Sequence, residues 1–425
     1  MAANIGKKTA AMIVKALASG VVPSRGAEQI AVGRRDEVSA FESDFQGVSD
    51  GDGAFRFIIG EYGSGKTFMT RLVRSRAADL GFVVMNADLT PSNRLRGSNG
   101  EGIRTYRQLI ASTSFKGMMD GGGAEALVQS WLVKLKSDVA EELGCKPSDV
   151  TVREMETQIR DGTSAMSHLP FYSDFLKVVV KYYVRMNGGH DASEAMRWLN
   201  GECNSITDSK ETVGVASCVK DENWYDFLKL WAQFAVSAGY KGLVVLIDQA
   251  DVLLKTQPAA RNSNYETLLA MYNDVVQSHG RPIAVYVCGT VEFLEDRSKG
   301  LYCYGALKTR IEEVRFEKSR DTYSGPVIRL KRLTAEEQEA LLLKILEIHQ
   351  IAEEYESAIT QDMVEDYLRS VASGPRPVSP RMLSRDFIAL LDVLHSFPDT
   401  DFHSLIAERK LDDDVGQTFS DEDSV

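Results

Sequence analysis

Gly60-Glu61-Tyr62-Gly63-Ser64-Gly65-Lys66-Thr67 satisfies the pattern G-x-x-x-x-G-K-[ST]. Its surroundings decide what it means. Phe55-Arg56-Phe57-Ile58-Ile59 before it reads as a buried strand and Thr67 to Leu80 after it as a helix, the setting in which the pattern is a phosphate-binding loop. The glycines let the backbone curl until successive N–H groups face one anion, at the positive end of the helix dipole. Lys66 would reach the β- and γ-phosphates of a nucleoside triphosphate such as ATP, and the Thr67 hydroxyl would hold Mg²⁺. A glycine-rich strand-to-helix turn with an incidental Lys-Thr is the competing reading.

At 425 residues the chain is long enough for two or three domains, each with its own core. A composition of 44% hydrophobic and 26% charged residues is that of a soluble globular protein. The formal charge of −12 argues against a broadly basic nucleic-acid-binding surface and leaves room for a local basic groove. Five dispersed cysteines (Cys145, Cys203, Cys218, Cys288, Cys303) with no C-x-x-C pair fit reduced cytosolic thiols better than disulfides or a zinc site; six scattered histidines point to no structural metal. No apolar run approaches the roughly 18 residues of a membrane helix, so no membrane partner is expected. In Met1 to Leu17, Ile5, Met12, Ile13, Ala16 and Leu17 read as a short amphipathic helix of the fold rather than a targeting peptide, and the expected location is the cytoplasm.

Downstream of the loop, Gly81 caps the helix and Phe82 to Asn86 reads as the next strand, completing a βαβ unit. The fold class is therefore α/β with a parallel sheet. Ala87-Asp88-Leu89-Thr90-Pro91 follows at that strand's carboxyl end, where ligands sit in such sheets. Leu243-Val244-Val245-Leu246-Ile247 is the pattern of a central parallel strand and ends in Asp248-Gln249-Ala250-Asp251. A hydrophobic strand ending in Asp is the Walker B arrangement, with Asp248 holding the Mg²⁺ hydration shell; an ordinary strand-end Asp is the alternative. A helix from about Tyr265 to Ser278 leads to a strand from Ile283 to Cys288, then Gly289-Thr290; Val327 to Leu330 reads as the fifth strand. Gly117 to Tyr240 is the least legible stretch. Helical spacing there covers a segment around Leu127–Leu135 and others near 152–159, 171–186, 193–199 and 224–238, and its four tryptophans (Trp131, Trp198, Trp224, Trp231) read as packing anchors rather than a binding platform. Thr334-Ala335-Glu336-Glu337 is a capping box, and the pattern beyond it is all-helical.

Several of these segments resemble AAA+ ATPases. Val32-Gly33-Arg34 with Glu37 resembles the box that lies beside the adenine, although a helix-capping surface turn reads the same way. Thr290, at the tip of the strand beside Walker B, stands where sensor 1 positions the attacking water, unless it is a plain strand-end threonine. Arg310 resembles an arginine finger reaching the γ-phosphate bound by a neighbouring subunit, with a surface salt-bridge role as the alternative. Arg381, with Arg376 and Arg385 as rivals, resembles the sensor 2 arginine of a helical lid. The likeness implies an N-terminal helical, adenine-side segment at 1–48 and an ATPase core in two parts, 49–116 and 241–332, split by a helical insertion at 117–240. A helical lid would span 333–410, and an acidic tail 411–425.

Taken together the segments resemble the P-loop ATP-binding proteins of BREX-type anti-phage defence systems, the BrxC/BrxD-like group, with a length nearest the BrxD type. The resemblance is carried by Ser19-Gly20-Val21-Val22-Pro23, Val32-Gly33-Arg34, Gly60 through Thr67 with Phe68, and Asp88-Leu89-Thr90-Pro91 with Arg94-Leu95-Arg96-Gly97. Tyr106-Arg107-Gln108-Leu109, Gly289-Thr290-Val291-Glu292-Phe293 and Ser379-Pro380-Arg381 complete it. It implies an AAA+-like fold related to origin-recognition ATPases, ATP and Mg²⁺ as ligands, self-assembly into a homo-oligomer, and work beside other defence-system proteins and DNA.

One position departs from the family. A Glu that polarises the attacking water is expected directly after Asp248, and Gln249 stands there. An amide of the same shape cannot accept the water's proton, so ATP and Mg²⁺ binding should survive while turnover is slow or absent. A deliberate Glu-to-Gln change that traps the ATP-bound assembly is the favoured explanation; a naturally hydrolysis-poor switch that recruits partners is the other. A small-molecule kinase fits less well, since no phosphoacceptor pocket is evident. For DNA, Arg71, Arg74, Arg76, Arg94, Arg96, Lys134 and Lys136 form basic clusters that solvated helix faces explain equally well.

Overall fold

A computed structural model describes residues 5–277, 282–312, 323–373 and 378–408. The acidic tail at 411–425, Arg376 and the final residue of the helix expected to end at Ser278 lie outside them. The chain forms two compact units, one from residues 35–331 and the other from 1–34 with 332–425.

The first unit is built on a five-stranded sheet: β1 (Ala54–Gly60), β2 (Val83–Asp88), β3 (Leu243–Asp248), β4 (Ile283–Gly289) and β5 (Val327–Leu330). The spatial order is β2-β3-β4-β1-β5 and every pairing is parallel. Burial on both faces explains why the strands read as unbroken apolar runs; every residue of β3 and β4 is buried. Arg56 is the charged exception in β1. Its guanidinium is closed by the Asp44 carboxylate and the carbonyls of Tyr323 and Gly325. A parallel sheet presents all its carboxyl ends at one edge, and two strands stand between β1 and β2, so the chain leaves β1 and returns at the far side of β3 and β4.

Between β2 and β3 the chain is helical. Helices run over Glu101–Ala111, Gly123–Leu143, Val152–Gly162, Tyr172–Asn187, Ser193–Leu199, Ile206–Val213 and Trp224–Ser237. Gly123–Leu143 ends on Gly144 in the left-handed conformation, and Val152–Gly162 opens on a full capping box between Thr151 and Glu154. All four tryptophans belong to the core. Three of their indole N–H groups are bonded, Trp198 to the Ser217 carbonyl, Trp224 to the Leu95 carbonyl and Trp231 to the Tyr106 hydroxyl. Tyr106 is fully buried and donates to the Leu199 carbonyl at 2.8 Å, so one hydroxyl ties three helices.

The helix expected from about Tyr265 begins seven residues earlier, spanning Pro258–Gln277. Proline suits a first turn because its missing N–H has no helical partner there. Polar residues hid that start, and one of them, Asn264, is fully buried. It accepts from the Leu95 and Arg96 N–H groups at 2.9 and 3.0 Å and donates to the Arg96 carbonyl at 3.0 Å, pinning the loop that follows β2.

In the second unit the helix Lys7–Ala18 packs on Ala335–Glu353 and Pro380–Ser396, burying Ala10, Ile13, Val14 and Leu17. Both halves of the expected Thr334/Glu337 capping box form. Among the described residues no helix is long and apolar enough to cross a membrane.

Tyr106→Phe is expected to cost about 1–3 kcal/mol in urea unfolding, because the Leu199 carbonyl and the Trp231 N–H each lose a buried partner while the ring's volume is kept.

Candidate functional site

β1 runs into the loop Glu61–Gly65, and the helix Lys66–Asp79 leaves it. Gly63 and Gly65 hold φ of 79° and 93°, which only glycine adopts without strain. A Cβ on Gly60 would stand 2.3 Å from the Ser64 hydroxyl, so this position requires glycine for space alone. The Lys66 ammonium lies over the loop, donating to the Gly60 carbonyl at 2.9 Å and the Glu61 carbonyl at 3.0 Å. Burial lowers its pKa from the ordinary lysine value, opposed by Asp251 first and then Asp248. Tyr62 is 82% exposed at the rim, an unusual place for so large a ring.

The Thr67 hydroxyl donates to Asp248 Oδ2 at 3.2 Å. Asp248 Oδ1 accepts the Gln249 N–H at 2.8 Å. Burial pushes the Asp248 carboxyl above its ordinary range, and the like-charged Asp88 adds to this; the Gln249 N–H, Thr67 and Lys66 oppose it. Gln249 itself is exposed and left-handed at φ 59°, at the start of the 3₁₀ turn Ala250–Lys255. A non-glycine residue there carries strain on the order of 1 kcal/mol, the kind of outlier that collects at functional turns.

The structure thus brings Gly60, Lys66, Thr67 and Asp248 to one sheet edge, with Asp251 and Asp88 beside them. Thr290 ends β4, the strand between β1 and β3; its hydroxyl accepts from the Phe293 N–H at 3.2 Å and caps the short helix Val291–Glu295. Arg310 is exposed, with Nε on Asn273 Oδ1 at 2.8 Å and Nη1 on the Ala306 carbonyl at 2.7 Å, both outside the loop Glu61–Gly65.

Gly33, Arg34 and Arg381 belong to the other unit. Gly33 has φ 62°, a backbone conformation that favours glycine, and a Cβ there would stand 2.0 Å from the Glu337 carboxylate of the capping box, which would have to swing aside. Arg34 is buried, and the exposed Arg381 opens Pro380–Ser396, its stem over Gly20.

Several of the basic residues already have intramolecular partners: Arg74 on Ser114 and Met119, Arg76 on Glu42, Arg94 on Glu101, and Lys136 on Asn187. Sequence reasoning did not assign Asp88 or Asp251 to the site. Their position at, or one turn past, a strand's carboxyl end was the available signal.

Sheet, loop and facing carboxylate together define a P-loop-like nucleotide-binding core. The chain matches the family described as BREX system ATP-binding protein BrxC/D over residues 5–410 and belongs to that family. No curated protein and no solved structure is detectably similar to it.

Asp248→Asn is expected to raise the melting temperature of the nucleotide-free protein and to abolish the Mg²⁺-dependent part of ATP binding. With a raised native pKa, the folded state binds more protons than the unfolded one above the ordinary aspartate value. Stability is therefore lost as pH rises through that window, and the asparagine variant should not show this loss in thermal melts across pH.

Proposed function

We propose that this chain is an AAA+-type ATPase of a bacterial BREX anti-phage system, nearest to the BrxD type, which binds ATP with Mg²⁺ in the cytoplasm and assembles with copies of itself. The observation that carries the reading is the convergence of Lys66, Thr67 and Asp248 in a chain of an ATP-binding family. Loop N–H groups from Gly60 through Phe68 would cradle the phosphates, and Lys66 would leave its carbonyl partners for the β- and γ-phosphate oxygens. The Thr67 hydroxyl and the Asp248 carboxylate would hold Mg²⁺, and an all-oxygen donor set suits that ion.

Thr290 supports a water-orienting role by its place between the phosphate loop's strand and that of Asp248. Arg310 would serve the γ-phosphate of a neighbouring copy, in keeping with partners outside its own loop. Gly33 and Arg34 are assigned to the adenine side. Arg381 belongs to a helical lid at 333–410, and residues 117–240 form an insertion into the core. Action on or with DNA and on partner defence proteins rests on the family alone.

Gln249 keeps the shape of a catalytic glutamate without its basicity, so binding persists and hydrolysis is impaired. The same residue favours a second reading, a hydrolysis-poor nucleotide switch that recruits partners.

Steady-state ATP hydrolysis of the chain and of Gln249→Glu, with and without DNA, separates the two. The ATPase reading expects a rise of about tenfold or more with glutamate, equivalent to roughly 1.4 kcal/mol of barrier; equal inertness with intact ATP binding leaves the switch. Mass in solution should increase on adding ATP and Mg²⁺ if copies assemble, and an unchanged monomer would count against the oligomer.

A further inference from the structure

We propose that Asp88 is a positioning residue for the divalent cation of the nucleotide site, holding the cation's water jointly with Asp248. The inference rests on the nucleotide reading above and adds to it a carboxylate from a different strand. β2 and β3 end side by side with Asp88 directly opposite Asp248, and the Leu89 N–H extends the ladder onto the Asp248 carbonyl at 2.9 Å. Opposite residues on neighbouring parallel strands lie about 4.8 Å apart and point to the same face.

The two carboxylates are not equivalent. Asp248 is buried, with one oxygen on the Thr67 hydroxyl and the other on the Gln249 N–H. Asp88 is half-buried, and among the described residues its carboxylate takes part in no hydrogen bond or ion pair. Its backbone, by contrast, is clamped: the Gln108 amide, oriented to suit both groups, donates to the Asp88 carbonyl at 3.2 Å and accepts its N–H at 3.3 Å.

Like charges placed directly opposite in a sheet oppose folding, and a cation or its water between them relieves the repulsion with both groups ionised. The Lys66 charge acts on Asp248, but its ammonium is hydrogen-bonded to the Gly60 and Glu61 carbonyls and bonds to neither carboxylate. A rigid backbone carrying an uncommitted carboxylate, one strand away from the Thr67–Asp248 contact, suits a hydrated hard cation such as Mg²⁺, which keeps several of its waters.

The test is the affinity of a fluorescent ATP analogue, measured in EDTA and across a Mg²⁺ titration, for the unaltered chain, Asp88→Asn and Asp88→Glu. The quantity read is the ratio of dissociation constants without and with Mg²⁺. Asp88→Asn is expected to shrink this ratio by about tenfold, on the scale of one charge contact, with affinity in EDTA unchanged or higher. Asp88→Glu should recover most of it. A ratio unaltered in Asp88→Asn overturns the inference while the nucleotide site stands, as does weaker binding in EDTA with the ratio preserved, the mark of a structural role. Failure of the unaltered chain to bind in either condition overturns the nucleotide reading and this inference with it.

Discussion

The hydrogen bond from Thr67 to Asp248 joins residues 181 positions apart, and the order of the sheet makes it possible. β1 delivers the loop Glu61–Gly65 and β3 delivers the acid, with β4 between them. The contact therefore depends on all three strands keeping parallel register and on the helix Lys66–Asp79 starting where Gly65 turns left-handed. Loops at the carboxyl edge inherit their positions from this register. The loop after β2 is fixed further by Asn264, and the turn after β3 by the Gln249–Asp248 contact.

The helical stretch between β2 and β3 has a different logic. Its aromatic side chains pack edge to face around Trp231, Phe234 and Phe227, and the Tyr106 hydroxyl and the indoles of Trp198, Trp224 and Trp231 find buried partners within the protein. Such a layer holds one arrangement because a buried hydroxyl or indole that loses its partner costs more than an apolar contact displaced by the same amount. Phe171 shows this selectivity: a left-handed backbone at φ 63° is accepted there, with its ring stacked on Phe227 at 4.8 Å.

The sheet and the tight turn from β1 into Lys66–Asp79 were legible because their signals are local. Five branched residues in a row mark β3, and the spacing of Gly60, Gly65, Lys66 and Thr67 marks the loop. The helices Glu101–Ala111 and Ile206–Val213 escaped that reading, and the start of Pro258–Gln277 was misplaced. Their boundaries are set by tertiary partners: Asp221 accepts from the Gly100 and Ile103 N–H groups, and Asn264 grips a loop 168 residues away. The pairing of Asp88 with Asp248 was likewise invisible, since strand order cannot be read from two separated apolar runs. Gly33 carries two meanings at once, a family-like box and a left-handed turn beside Glu337, and sequence cannot separate them.

The left-handed turn at Gln249 has a consequence for how this position varies. Glutamine and glutamate have the same branching at Cβ and the same side-chain length, so they meet the same backbone penalty at φ 59°. The two residues are close in shape and differ in charge and in hydrogen-bond donors, so exchanging them leaves the turn's backbone demands unchanged. Valine or isoleucine, branched at Cβ, would strain the turn, whereas glycine would relax it and loosen the aim of everything that follows Asp248.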